Sequence, residues 1–575
     1  MLRIRTLGCL TAAFIMASAA ARADGDRNFT TTPIKHLVVI FQENESFDHY
    51  FGTYPHAQNN PGEPAFHALP DTPTSINTLE TPLDVNNKFK PLKNVDLLNR
   101  NPNSLVGTGQ TINGAFASNP FRLSPAQALT PDQNHADTAE QEAYDNGAMD
   151  AFPHDTGTAG TIAGASIGPQ SAMGYFDGNT VTALWHYAQH FAMNDNMFTS
   201  QFGPSTPGAL NLIAGQTNGM NVVVNGVNAT GVLASSLVND GSGNFTLIND
   251  SDPYGDVCST KTGTTISMHG QNIGDLLNAH GTSWGWFEGG FDLTVTNPNG
   301  TTGCARSSTG VVGNTTADYI QHHQPFQYFA STANPTHARP ASVEAIGHSR
   351  DPHTGKVDPA NHQYDTRDFF AALDAGNLPD VSFIKAPAIE DAHPGYSDPL
   401  DEQRFIVHVL NSLQKSPEWK HTAVIITYDD SDGWYDHQMP PIVNTSFSSA
   451  DMLNGKGVCN MGLEQDRTPG QLNGSFGLPA QGRCGYGTRI PLLLISPFAK
   501  KNFVDHTLID QSSVTRFIED NWLGGERIQA KGSFDTIAGP LLQMFNFETN
   551  DGDSDSPRVL LDPTTGEVTL ITATK

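Results

Sequence analysis

Asp429 and Asp430 stand side by side just after the apolar run Ala423-Val424-Ile425-Ile426. Adjacent carboxylates repel each other unless a cation, a shared proton or a basic partner compensates, and a divalent metal is the simplest of these. Glu43 and Asn44 follow a second apolar run, Leu37 to Phe41. They add a carboxylate and an amide oxygen, donors suited to Mg, Ca or Mn and tolerated by Zn. An isolated Asp-Asp pair is more often a solvated loop, and Asn44 is also a good N-cap for a following helix. Two acid-tipped runs nearly the whole chain apart favour one assembled site over coincidence. A third segment, QFGPSTPGALNLIAG (201–215), sets Ser205 and Thr206 between Pro204 and Pro207. A helical pattern resumes at Ala209, so Ser205 falls at a helix N-terminus, where N–H groups and the dipole favour a bound phosphate. On spacing alone an ordinary Ser N-cap is the commoner explanation.

These groups need a scaffold that brings distant segments together. The two apolar runs are rich in β-branched residues and read as central strands buried on both faces. Carboxylates just past the carboxyl ends of such strands lie where open α/β sheets bind their ligands. Strands are expected at 37–41, 381–384, 423–428 and 491–496, and helices at 405–420 and 510–522. A terminal hairpin is expected from Val559 to Leu570, turning around Pro563-Thr564-Thr565-Gly566. Residues 55–130 and 220–315, rich in Asn, Thr, Gly and Pro, read as loop-rich insertions with short strands.

The N-terminal segment 1–23 has Arg3 and Arg5, an apolar stretch and Ala21-Arg22-Ala23. It reads as a signal peptide cleaved after Ala23, which predicts a periplasmic or secreted protein. Cys258, Cys304, Cys459 and Cys484 then remain, and short loop closure favours the pairs Cys258–Cys304 and Cys459–Cys484. A net charge of −28 argues against nucleic-acid partners and against stable association with anionic membranes.

The segments VVIFQENESFDHYFG, FGPSTPG, HHQPFQYF, HQYD, DAHPGYSDPLDEQ, YDDSDGWYDH and RIPLLLISPFAK together resemble the bacterial phosphoesterase family of the alkaline phosphatase superfamily. That family holds acid phosphatases of the A type and phosphatidylcholine-cleaving phospholipases C. The resemblance runs from about Pro33 to about Trp522. It implies an alkaline-phosphatase-like α/β core, with a mostly parallel central sheet and helices on both faces. It also implies one divalent metal ion, of open identity, held by Glu43, Asn44, Asp429, Asp430 and the nucleophile Ser205. Where the superfamily often has Asp-His this chain has Asp429-Asp430, a harder, more oxygen-rich set. Ser205 and Thr206 are both candidate nucleophiles. The register of Pro207 and Gly215 behind them resembles that of superfamily sulfatases and favours Ser205. Those sulfatases carry an arginine where this chain has Ala209, so sulfatase activity ranks low.

By the same resemblance His135, His393 and one of His322 and His323 face the phosphoryl group, holding its oxygens and protonating the leaving oxygen. Because the motifs interleave from Glu43 to Asp430, residues 24–575 are expected to form a single catalytic domain with insertions near 55–130 and 220–315. The expected activity is hydrolysis of small phosphomonoesters through a phosphoserine on Ser205. About 50 residues follow Trp522, where phospholipases of the family carry long β-rich extensions. Phospholipase C activity is therefore second, and an exported metal- or phosphate-binding protein without turnover is third.

Overall fold

The computed structural model describes residues 30–107, 116–228, 235–260, 263–460, 470–548 and 557–572. The expected signal peptide lies outside them. Eight strands form the main sheet: β1 (His36–Gln42), β2 (Ala192–Asn194), β3 (Trp284–Glu288), β4 (Gln363–Asp365), β5 (Val381–Lys385), β6 (Thr422–Tyr428), β7 (Leu492–Ile495) and β8 (Phe503–Asp505). Their order is β4-β3-β5-β1-β6-β7-β2-β8. Every neighbour pair is parallel except those made by β7, which runs against both β6 and β2. The fold is α/β with a mostly parallel sheet, as expected.

All seven residues of β6 are buried, so elements cover both faces of the sheet centre. Each buried Val or Ile there contributes about 1.5–3 kcal/mol by leaving water. The four expected strands are β1, β5, β6 and β7. The helix expected at 405–420 spans Pro399–Lys415 and ends before Ser416-Pro417, after which a short 3-10 turn follows. It begins early because Asp398 accepts from the N–H groups of Leu400 and Asp401 and Pro399 pre-sets the first turn. The helix at Ser512–Trp522 and the hairpin Arg558–Leu561 with Val568–Thr572 match expectation.

Met220–Val224 pairs with Thr264–Met268 in a small ribbon, but the loop-rich insertion expected at 220–315 does not run that far: the range also holds the helix Ile273–His280 and β3, whose burial between β4 and β5 makes it part of the main sheet. Both expected disulfides, Cys258–Cys304 and Cys459–Cys484, are present. Among the described residues no helix is long and apolar enough to cross a membrane.

Candidate active site

Parallel pairing of β1 with β6 puts Gln42 opposite Tyr428, so Glu43-Asn44 and Asp429-Asp430 leave the sheet side by side. Asn44 takes a left-handed backbone, φ 59°, which asparagine tolerates better than most residues. Its N–H donates to Asp429 Oδ1 at 3.0 Å, locking the two strand ends together. Asn44 does not cap the following helix, Phe47–Phe51; Ser46 does, accepting from the His49 N–H at 3.1 Å. The Asn44 side chain is thereby left for the site.

Ser205 is the first residue of the helix Ser205–Ala214, and its N-cap is Pro204. The serine hydroxyl does not cap its own helix. It donates to Glu43 Oε2 at 2.9 Å and also lies 3.3 Å from Asp430 Oδ2 and 3.5 Å from Asn44 Oδ1. Thr206 is committed elsewhere: its N–H and its hydroxyl both donate to Asp250 Oδ1, at 2.9 and 2.8 Å. Gly208 lets this helix approach the strand end, because a Cβ there would lie 2.1 Å from the Asp429 carbonyl oxygen. Gly208→Ala is expected to push the helix off Asp429, costing about 1–3 kcal/mol of stability and lengthening the Ser205–Asp430 approach. A thermal melt read beside turnover checks this, and an unchanged melting point would contradict the contact.

All five expected ligands converge here, each buried. Asp429 Oδ1 accepts from the N–H groups of Asn44 and Asp430, whereas its Oδ2 has no hydrogen-bond partner despite full burial. A buried carboxylate oxygen that takes no hydrogen bond, with the Lys385 ammonium 3.6 Å away and Glu43, Asn44, Ser205 and Asp430 around it, fits a hard divalent cation. Burial and the adjacent Asp429 push the Glu43 carboxyl well up, and burial and Asp429 do the same to Asp430. So dense a carboxylate set is under charge strain that a cation relieves.

The histidines divide. His135 Nε2 lies 3.5 Å from Asn44 Nδ2, and its ring stands 6.0 Å from that of His393, which stacks on Tyr396. His323 Nδ1 is 3.3 Å from Glu43 Oε1 and 3.8 Å from Asp391 Oδ2. His322 turns outward, 4.0 Å from Asp250 and 3.8 Å from Asp252. Of the pair the sequence left open, His323 is the one against the carboxylates.

The site histidines differ from one another in protonation. Burial lowers His135, but Asp430, Asp432 and Asp132 outweigh it and hold the ring charged well above the usual range. Burial takes His393 down to about 4 against the pull of Asp132. Burial also lowers His323 strongly, with His322 and Lys385 adding repulsion. One charged donor and two neutral imidazoles thus stand near neutral pH.

Sequence reasoning missed Lys385. Its ammonium ends β5, fully buried, in contact with Glu43 Oε1 and 3.6 Å from Asp429 Oδ2. The signal was available: β5 is an apolar run ending in a charge, as β1 and β6 are. Asp432 and Glu140 were also passed over. Asp432 accepts from the Asn44 amide at 3.2 Å and from the Gln133 N–H at 3.0 Å. Glu140 takes the Gly203 N–H and the Ser431 hydroxyl, each at 2.9 Å, and so ties the turn before Ser205 to the loop after Asp430.

The Phosphoesterase family pattern matches residues 34–523. A non-hemolytic phospholipase C of Pseudomonas aeruginosa is 25% identical over 520 residues, covering 89% of this chain and 57% of that protein. A hemolytic phospholipase C of the same organism is 33% identical over 172 residues, 30% of this chain and 21% of that one. The chain thus matches less than two thirds of the length of these relatives. Murine ectonucleotide pyrophosphatase/phosphodiesterase 5 aligns over 64% of this chain and 95% of its own, at 11% identity. The TM-score of that alignment is 0.28.

Proposed function

The chain belongs to the phosphoesterase family, and on that premise we propose that it is an exported, metal-dependent acid phosphatase, a single catalytic domain hydrolysing small phosphomonoesters through a phosphoserine on Ser205. The observation that carries this reading is the Ser205 hydroxyl at a helix N-terminus, 2.9 Å from Glu43 and beside Asn44 and Asp430. Glu43, Asn44, Ser205, Asp429 and Asp430 would hold one divalent ion. When bound, it supplies positive charge that lowers the pKa of the serine hydroxyl and offsets charge on the phosphoryl oxygens.

Glu43 accepts the Ser205 O–H and orients the oxygen for in-line attack on phosphorus. Thr206 gives its N–H to Asp250, Pro207 has none and Gly208 gives its N–H to the Pro204 carbonyl, so it is the positive end of the helix dipole, more than a row of N–H groups, that favours the transferred group beside Ser205. Charged His135 donates to a phosphoryl oxygen. His393, across from His135, is placed to protonate the leaving oxygen when it carries a proton; its pKa near 4 favours acidic turnover. Deprotonated His393 then takes a proton from water, whose oxygen attacks phosphorus; the bond from phosphorus to Ser205 Oγ breaks, phosphate leaves, and Ser205 takes up a solvent proton in exchange for the one it released on attack. His323 steadies the Glu43 carboxylate.

His323→Ala is expected to lower kcat by about 10²-fold, and His322→Ala by less than about tenfold, since the carboxylates nearest His322 are Asp250 and Asp252 and it reaches the ligand set only through the edge of the His323 ring. Steady-state rates on p-nitrophenyl phosphate separate the two, and a larger loss at His322 would reverse the assignment.

Phospholipase C activity is the second reading, favoured by the names of the relatives. A cationic His135 beside the ligand set suits the extra charge of a monoester dianion over a diester. The test compares kcat/KM for p-nitrophenyl phosphate with that for phosphatidylcholine dispersions, from pH 4 to 9. Preference for the monoester supports the phosphatase reading, and preference for the lipid replaces it with phospholipase C. Failure of metal-loaded protein on both would leave a binding protein.

A further inference from the structure

Glu43, His323 and Asp391 form a second donor group beside the expected ligands: one ligand atom from each lies within 4.8 Å of the others, all buried. Carboxylate-imidazole sets of this kind hold divalent ions. The Lys385 ammonium reaches this group, touching Glu43 Oε1 and standing 3.6 Å from Asp429 Oδ2. Register leaves it little choice. Lys385 ends β5 alongside Glu288 of β3, one residue past the Ile40–Ile384 pair, and its stem crosses the Phe41 ring with Nζ 5.2 Å from the centroid.

A lysine with 1% side-chain exposure is costly unless its charge is used. Glu43, Asp391, Asp429 and Asp430 can carry four negative charges. One divalent ion offsets two of them and the ammonium a third. A second divalent ion would do the ammonium's work, and it would need the same oxygens.

We propose that Lys385 is the built-in second cation of this site: it occupies the charge position beside Glu43, His323 and Asp391, limits the site to one divalent ion, and on removal opens that group to a second. The proposal rests on the metal reading above, and counting ions separates the two. Purified protein stripped of metal is dialysed against Mn²⁺, and bound manganese per chain is measured by elemental analysis.

Wild type is expected to hold one Mn²⁺. Lys385→Met should hold two, with the manganese electron-spin signal broadened by a close second ion, and Lys385→Met with Asp391→Asn should return to one. Lys385→Arg, which keeps the charge, should stay at one. Two ions in wild type, or one in Lys385→Met, would overturn the proposal while leaving the metal reading intact. No ion in wild type would remove the metal reading and the proposal with it. Should Lys385→Met fail to fold, Lys385→Gln, which keeps a polar donor beside Glu43 without the charge, takes its place: it should hold two ions, and one ion there would overturn the proposal.

Discussion

Ser205→Ala is expected to abolish turnover of p-nitrophenyl phosphate, lowering kcat by at least about 10³-fold, while Thr206→Ala keeps activity within about tenfold of wild type. The asymmetry follows from where each hydroxyl points. Ser205 Oγ sits among Glu43, Asn44 and Asp430. Thr206 Oγ1 is spent on Asp250, which also takes the Thr206 N–H. Threonine therefore fixes the first turn of the helix, and its loss loosens that turn without removing the attacking atom. Rapid acid quench with a labelled monoester should trap phosphate on the wild-type chain and none on Ser205→Ala. Labelling that persists in Ser205→Ala would sink the serine assignment. Unlabelled turnover in that variant would point to direct attack by water.

Much of this site could be read from the sequence because its parts follow simple rules. An apolar β-branched run that stops at a charge is a strand delivering that charge to a sheet edge, and β1 and β6 obeyed it. Lys385 obeyed it too and was missed, because a lone lysine at a strand end is usually a solvated terminus; only parallel pairing with β1 shows that it faces Glu43. The choice between His322 and His323 depends on the turn Gln321–His323, a single 3-10 turn whose rotation no periodicity encodes. Capping was legible in kind and misplaced in position. Asn44, Ser46 and Ser205 are all good capping types, and the backbone gave the work to Ser46 alone, freeing the other two for the site. The early start of the helix at Pro399 was written in Asp398-Pro399 and in the acids of its first turn, Asp401 and Glu402.

Arg489→Met should be the most destabilising single change near the site, costing about 3–5 kcal/mol. Arg489 is fully buried beneath Phe47, its guanidinium carbon 4.3 Å from the ring centre. Its Nε meets both Asp436 oxygens at 3.0 Å, one Nη meets Asp48 Oδ1 at 3.0 Å, and the other donates to the carbonyls of Asn77 and Asp195. Asp48 lies just beyond Glu43-Asn44, and Asp436 just beyond Asp429-Asp430. His437 closes the ring, with its N–H 2.8 Å and its Nδ1 2.6 Å from Asp48 Oδ2. One cation thus clamps the loops that follow both acid-tipped strands.

Methionine would keep the bulk of Arg489, leave buried Asp436 without a cation and leave Asp48 with His437 as its charged or polar side-chain partner, which is where the cost arises. Arg489→Lys keeps the charge but not the planar fork, so a smaller loss is expected. The deciding variant is the triple change Arg489→Met, Asp48→Asn, Asp436→Asn. It removes the stranded charges and should recover part of the melting temperature that Arg489→Met loses. If the single and triple variants melt alike, the loss comes from packing around Phe47 and not from uncompensated charge. If the triple recovers its melting temperature but not its rate, the clamp also sets the spacing of Glu43 and Asp430 about Ser205. Stability and turnover would then be two readings of the same buried arginine.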